Sequence, residues 1–357
     1  ERHSEGVLMA EILGIGMTHW PGLCPAKTRP HSLKRALADP AMPEHLRQPS
    51  GWPERLRQEW STDEGSAAGE AHRDRVVAEI RKARQVLDDF KPDFVVVWGD
   101  DQYENFKEDL VPAFAVLAYD QFEAKPWAHF REPNYWAEPE GTIFRLPGHR
   151  AGGKLLASGL LGEGFDVAYA YRPLHADLGH AFINTVMYLD WDRKGFQHPI
   201  LPFSVNCLGR LTISAHGYMR SLADPWTDDV LDPPSPTPTR CFDLGAACAR
   251  VLAASPYRVA LIASASWSHA FLTPKHHYLY PDLEADRALF EALVKGDYQP
   301  WRSRPLAAVE DSGQHEMLNW FCLAGAMAEL KRKPATATLI DTYVMVSSKV
   351  IATFPPS

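Results

Sequence analysis

Four polar signals in this chain could do chemistry, and three of them stand where an apolar run stops. They are Thr18-His19-Trp20-Pro21, Gly99-Asp100-Asp101-Gln102 and Ser266-Trp267-Ser268-His269; the fourth, Ser312-Gly313-Gln314-His315-Glu316, opens an apolar helical pattern. Imidazoles and carboxylates are the side chains that bind transition metals and move protons near neutral pH. A lone histidine after a strand is usually a hydrogen-bonded structural residue. Several such residues at the ends of strands in one sheet have a different meaning. They project from fixed backbone into one crevice, where α/β sheets collect ligands. Glu316 alone could simply interact with a helix dipole, an effect of about 0.3–1 kcal/mol; a metal role requires it to face a strand-end histidine. His276 and His277 are adjacent, so their side chains diverge, and they read as surface or loop residues. His3, His31, His45, His72, His129, His149, His198 and His216 have no informative context.

The elements that must position these groups follow from the pattern of apolar residues. Ala10 to Met17 reads as a buried first strand ending at His19. Residues 24 to 65, rich in Pro, Arg, Glu and Trp, read as a long excursion with short helices. Arg73 to Phe90 places Val76, Val77, Ile80, Ala83, Val86 and Leu87 on one helical face. Lys91-Pro92-Asp93 stops that helix, and Phe94 to Trp98 reads as a fully buried strand. Further strands are expected at Phe165 to Tyr171, Pro199 to Asn206, Arg258 to Ala265 and Thr338 to Val346. Helices are expected at Asp243 to Ala254 and Glu310 to Leu330. Asp232 to Pro238 is a stiff, Pro-rich connector. Strands spread along the whole chain predict a single large α/β domain, with a central mixed sheet flanked by helices and an active site at the carboxyl ends of the strands. Residues 1–8 read as a tag or N-terminal extension before Met9, and residues 9–357 as the folded domain.

Bulk properties bound the function. The formal net charge is -8 and the pI about 6.0, which argues against a nucleic-acid surface. No apolar run approaches the roughly 20 residues that cross a bilayer. The N-terminus lacks the layout of a signal peptide. Five scattered cysteines, Cys24, Cys207, Cys241, Cys248 and Cys322, show no paired spacing, and a reducing cytoplasm is the default.

Read in order, the signals resemble one family. The segment Asp101 to Phe114 (DQYENFKEDLVPAF) is similar to the D-H-x-x-x-F-x-x-D-x-x-P-x-F stretch of the class III extradiol ring-cleaving dioxygenases. That family includes the protocatechuate 4,5-dioxygenase beta subunit and the 2,3-dihydroxyphenylpropionate dioxygenases. Thr18 to Pro21 resembles its S-H-x-P, Asp177-Leu178-Gly179-His180 its D-H-G with one position displaced, and Pro199 to Gly209 its P-V-V-P-x-x-x-N strand. Ser266 to His269 resembles G-x-S-H, and Gly313 to Trp320 (GQHEMLNW) resembles G-x-H-E-x-x-N-W. These landmarks span residues 10 to about 330.

The resemblance implies a non-haem Fe(II) enzyme that opens a catechol-type ring with O₂ to a muconic semialdehyde. Iron would be held by His19 and Glu316 with Gln102, which stands where the family has a second ligand histidine. A glutamine carbonyl is a weaker, neutral ligand, so Asp100, Asp101 or Glu104 could supply an oxygen instead. His269 would be the acid/base residue and His180 a second pocket histidine that positions oxygen or substrate. Trp20, Tyr103 and Trp267 are candidates to flank the ring. Expected partners are a small aromatic substrate and O₂, with neither nucleic acid nor membrane; a homo-oligomer is expected, and the need for a small subunit is left open. Gln102 also admits a diverged member that has lost ring cleavage and binds an aromatic or a partner protein, or a metal-assisted hydrolase.

Overall fold

Buried strands of a parallel sheet need apolar side chains on both faces, and the uninterrupted apolar runs meet that need. In the computed structural model, residues 10–218, 221–223, 227 and 229–356 are described; the extension at 1–8 and Met9 lie outside them. The strands are β1 (Ile12–Met17), β2 (Phe94–Gly99), β3 (Phe114–Leu117), β4 (Gln121–Ala124), β5 (Phe144–Pro147), β6 (Ala168–Ala170), β7 (Ile200–Val205), β8 (Val259–Ser264), β9 (Thr336–Ile340) and β10 (Lys349–Phe354). Eight of them form one sheet in the order β6-β3-β7-β2-β8-β1-β10-β9, and β4 pairs with β5 apart from it. The central strands β7, β2, β8 and β1 are parallel, with Gly14 and Val96 both opposite Leu261. β3 and β10 join them antiparallel, so the sheet is mixed. The expected α/β fold with a central mixed sheet is therefore the observed one.

The helices are α1 (His31–Leu37), α2 (Glu54–Trp60), α3 (Ser66–Phe90), α4 (Arg150–Gly162), α5 (His180–Leu189), α6 (Pro238–Ala253), α7 (Leu283–Lys295), α8 (Gln299–Arg302), α9 (Leu306–Asp311) and α10 (Leu318–Glu329). They cover the sheet on both sides. Phe94, Val96 and Trp98 of β2 point into a core shared with α4, α6 and α10. Val95 and Val97 point into the opposite core, with α3 and α5. α6 and α10 touch backbone to backbone. A β-carbon at Gly245 would lie 1.7 Å from the Cys322 carbonyl oxygen, and one at Gly325 would lie 1.8 Å from that of Phe242.

The structure corrects several sequence expectations. The long helix expected over Glu310 to Leu330 is interrupted. α9 ends at Asp311, Gly313 takes φ +64, and His315–Met317 form a 3-10 turn before α10 begins. The break has a use, since the freed Gly313 carbonyl accepts the backbone N–H of His269 at 2.9 Å. The strand expected over Thr338 to Val346 ends at Ile340, because Tyr343 to Ser348 turn back as a loop with Val346 at φ +54. β10, the short strand β3, the β4–β5 hairpin and helices α4 and α7 were not anticipated.

Candidate active site

β1, β2 and β8 run parallel, so His19, the Asp100–Gln102 segment and His269 leave the sheet at one end. His19 is 1% exposed. Its Nδ1–H donates to the Ser264 carbonyl at 3.0 Å, and Asn184 Nδ2 donates to the His19 backbone carbonyl at 3.0 Å. Burial pushes its pKa down to about 4, despite the opposing pull of Glu316. A neutral ring that donates from Nδ1 presents a lone pair at Nε2. That nitrogen lies 3.4 Å from Asp100 Oδ1 and 3.5 Å from Glu316 Oε2.

Glu316 comes from the 3-10 turn that Gly313 makes room for. Burial opposes its ionisation, but His269, His19 and His180 outweigh that and hold its carboxyl at about 2. Asp100 is fully buried; burial and the charge of Glu316 push its carboxyl well above the usual range. Among the described residues, Asp100 Oδ1 has no hydrogen-bond partner. Gln102 spans the two acids, its Nε2 donating to Asp100 Oδ2 and to Glu316 Oε1, each at 3.1 Å. Two carboxylate acceptors require the NH₂ end of the amide, which fixes its orientation.

Two further histidines border this cluster. His269 Nδ1 donates to the Trp267 carbonyl at 2.8 Å, and its Nε2 lies 3.3 Å from Glu316 Oε2. The preceding Ser268 donates to the buried Asp286 from its hydroxyl at 2.6 Å and from its backbone at 3.1 Å; Gln314 Nε2 adds a bond to Asp286 at 2.8 Å. His180 starts α5, and Glu104 accepts both its backbone N–H at 2.8 Å and its Nδ1–H at 3.0 Å. Burial opposes its protonation, but Glu104, Asp100 and Glu316 raise its pKa to about 10. His180, His19 and Asp100 offer ligand atoms that all lie within 4.8 Å of one another, an arrangement that could hold a metal ion.

A cavity of about 250 Å³ opens above these groups. Trp20, Phe271 and Val346 form its walls, and His31, Ser32 and Arg35 of α1 line it with Tyr218. The Lys349 Nζ stands 3.6 Å from the Trp20 ring centre, anchored by Met345 and Ser347.

The structure thus brings together His19, Gln102, His180, His269, Glu316 and Trp20, and places two sequence candidates elsewhere. Trp267 is fully buried against Trp301 and Trp320, with ring centres 5.5 and 5.4 Å away, and is a core residue. Tyr103 stacks on His216 at 3.8 Å and donates to Glu108, outside the cavity lining. Of the oxygen donors considered for the end of β2, Asp101 is taken up by the N–H groups of Glu104, Asn105 and Phe106. Glu104 is taken up by His180, which leaves Asp100. Phe271, Val346 and the α1 residues were missed. No periodicity or spacing in residues 24 to 65 indicates that α1 borders the cavity.

No protein-family model matches the chain. Enzymes called 2,3-dihydroxyphenylpropionate/2,3-dihydroxicinnamic acid 1,2-dioxygenase are similar to it. That of Photorhabdus laumondii is 24% identical over 217 residues, 61% of this chain and 54% of the relative. That of Burkholderia vietnamiensis is 30% identical over 225 residues, 62% of this chain and 56% of the relative. One from Pseudomonas putida is 27% identical over 197 residues, 55% and 49% of the two chains. The chain spans about half the length of the curated relatives it matches. By sequence, this chain is similar to these dioxygenases, and its ordered motifs resemble the extradiol ring-cleaving family.

Proposed function

We propose that this protein is a non-haem Fe(II)-dependent extradiol dioxygenase that opens a catechol-type ring with O₂ to a muconic semialdehyde. One observation carries the reading. The lone pair of His19 Nε2 faces Asp100 Oδ1 and Glu316 Oε2 at 3.4 and 3.5 Å, with His269 beside them under an aromatic wall. Lone pairs turned on one another in a buried site are unfavourable unless a cation or proton lies between them. The donor set of one imidazole and carboxylate oxygens suits a divalent first-row metal. His19 and Glu316 would hold it, with a third donor from the end of β2. Bound there, the metal would offer neighbouring positions to the catechol oxygens and to O₂.

The remaining work falls to the side chains. His269 Nε2 takes the proton of one ring hydroxyl and returns it as the ring opens, with its Nδ1–H held by the Trp267 carbonyl throughout. His180, kept cationic by Glu104, stabilises negative charge that develops on substrate oxygen. Trp20 and Phe271 flank the ring. A cavity of roughly 150 Å³ holds a bare benzene ring, so the about 250 Å³ here leaves space for a side chain. Arg35 and Ser32 line the same cavity, and the similar enzymes are named for a dihydroxyphenyl acid. A catechol with a short acidic side chain fits both facts.

Gln102 favours a second reading, in which the chain binds an aromatic or assists a hydrolysis without cleaving rings, because its amide already bridges the two acids. Metal analysis of anaerobically purified protein, paired with oxygen uptake on a panel of catechols, separates the two. Stoichiometric iron with uptake and a yellow product is expected. No uptake after Fe(II) addition would overturn ring cleavage.

A further inference from the structure

We propose that Asp100, and not Gln102, is the third protein ligand of this site, and that Gln102 is a positioning residue that spaces the two carboxylates. The centre is then built from one histidine and two carboxylates, His19, Asp100 and Glu316, with His180, which lies near His19 and Asp100 but is paired with Glu104, beside it and not among the ligands. The assignment rests on the proposed function only in taking the site to hold a metal ion.

The hydrogen bonds carry the argument. Gln102 Nε2 binds Asp100 Oδ2 and Glu316 Oε1, the outer oxygens of the two acids. The inner oxygens, Asp100 Oδ1 and Glu316 Oε2, are those left 3.4 and 3.5 Å from His19 Nε2. Two atoms each about 2.0–2.2 Å from one ion, at an angle between octahedral and tetrahedral, stand about that far apart. Asp100 Oδ1 is fully buried and lacks a hydrogen-bond partner among the described residues, as a ligand atom awaiting a cation would. An amide nitrogen has no lone pair to give a metal. For Gln102 to offer its Oε1 instead, the amide would have to turn that oxygen onto two carboxylate oxygens and abandon both bonds. The other carboxylates near the end of β2 are committed, Asp101 to backbone N–H groups and Glu104 to His180.

The exchange has a chemical consequence. Replacing an imidazole by a carboxylate adds a negative charge and a harder donor, which favours oxygen-loving ions such as Mn(II) relative to a site with two imidazoles. The clamp explains why glutamine serves at position 102. It is long enough to reach Glu316 across the pocket, and its NH₂ group donates to both acids at once.

Full-length protein, stripped of metal and titrated anaerobically with Mn(II), tests the assignment. The near-isosteric Asp100→Asn should weaken Mn(II) binding by at least about 100-fold. Gln102→Ala should weaken it by about 10-fold, in the range of residues that orient ligands. Pulsed electron spin-echo modulation on Mn(II)-loaded wild-type protein should show one coordinated imidazole nitrogen, a reading that requires no variant to fold. Unchanged binding in Asp100→Asn, abolished binding in Gln102→Ala alone, two coordinated imidazoles, or a wild type that takes up no ion would each overturn the assignment. The proposed function fails separately. Tight, Asp100-dependent metal without oxygen uptake on catechols sinks ring cleavage and leaves the ligand assignment standing, whereas uptake with Asp100-independent metal does the reverse.

Discussion

One hydrogen bond from Nδ1 settles what His19 and His269 can each do with Nε2. For His19 the Ser264 carbonyl fixes the tautomer that turns a lone pair on two acids. For His269 the Trp267 carbonyl leaves Nε2 free to carry a proton beside Glu316. On the proposed function, His269→Gln should lower kcat on a catechol by about 10²- to 10⁴-fold, the usual contribution of a positioned acid/base group. Mn(II) affinity should stay near that of wild type, since the proposed ligand set does not include His269; equal losses in both would add it to that set. Asp286 acts one step further back, holding Ser268 and Gln314 on either side of the His269–Gly313 contact. Asp286→Ala leaves buried donors without partners, each at a cost of about 1–3 kcal/mol. Urea unfolding should show that loss, and a change under about 0.5 kcal/mol would mean the network is not stabilising.

At the scale of elements, two close approaches decide the architecture. Gly313 ends α9 with φ +64, and a β-carbon there would meet Thr273 Oγ1 at 2.4 Å and the His269 carbonyl at 2.5 Å. Gly313→Ala should destabilise by about 1–3 kcal/mol, the scale of backbone strain at such positions, and should weaken Mn(II) binding because Glu316 moves with the turn. Destabilisation with unchanged metal affinity would show that the turn does not set Glu316. The α6–α10 contact is stricter in packing terms. Gly245→Ala drives a methyl into the Cys322 carbonyl, so the helices must separate, with a cost of about 1–3 kcal/mol. Its readout is unfolding free energy alone, since neither helix carries a group named at the site.

At the scale of the molecule, buried histidines make stability depend on pH. His72 is buried with Nε2 unpartnered among the described residues. Burial first, then Lys349, Arg75 and Arg55, push its pKa well below 6.5. Burial likewise lowers His19 and His315 to about 4. Above pH 6.5 these rings are neutral in both states and favour neither. Below it the unfolded chain takes up protons that the native sites refuse, so stability falls by up to about 1.4 kcal/mol per pH unit for each such ring. The decline runs from pH 6.5 down to about 4 for His19 and His315. His180 and Asp100, whose pKa values are raised, act with the opposite sign, so the test is the difference between wild type and His72→Phe in urea unfolding at pH 7.5, 6 and 5, where the variant should lose less stability as pH falls. An unchanged slope in that variant would remove His72 from the account.

The sequence by itself determined which groups reach the site end of the sheet. Strand runs are local patterns, and whatever follows a buried run must emerge where it stops, as His19, Asp100 and His269 do. It also carried the family resemblance, through short ordered motifs. Only the tertiary structure decided which donors at the end of β2 are already taken up. Gln102 and Glu316 are 214 positions apart, yet a hydrogen bond between them occupies the Gln102 amide, while Asp100 Oδ1 has no partner among the described residues. Trp267, two residues from a site histidine, proved to be core because Trp301 and Trp320 close over it. The break before Glu316 was hidden for the same reason. A helical period shows which face is apolar, whereas a carbonyl claimed by His269 from a distant loop can be seen only once the chain has folded.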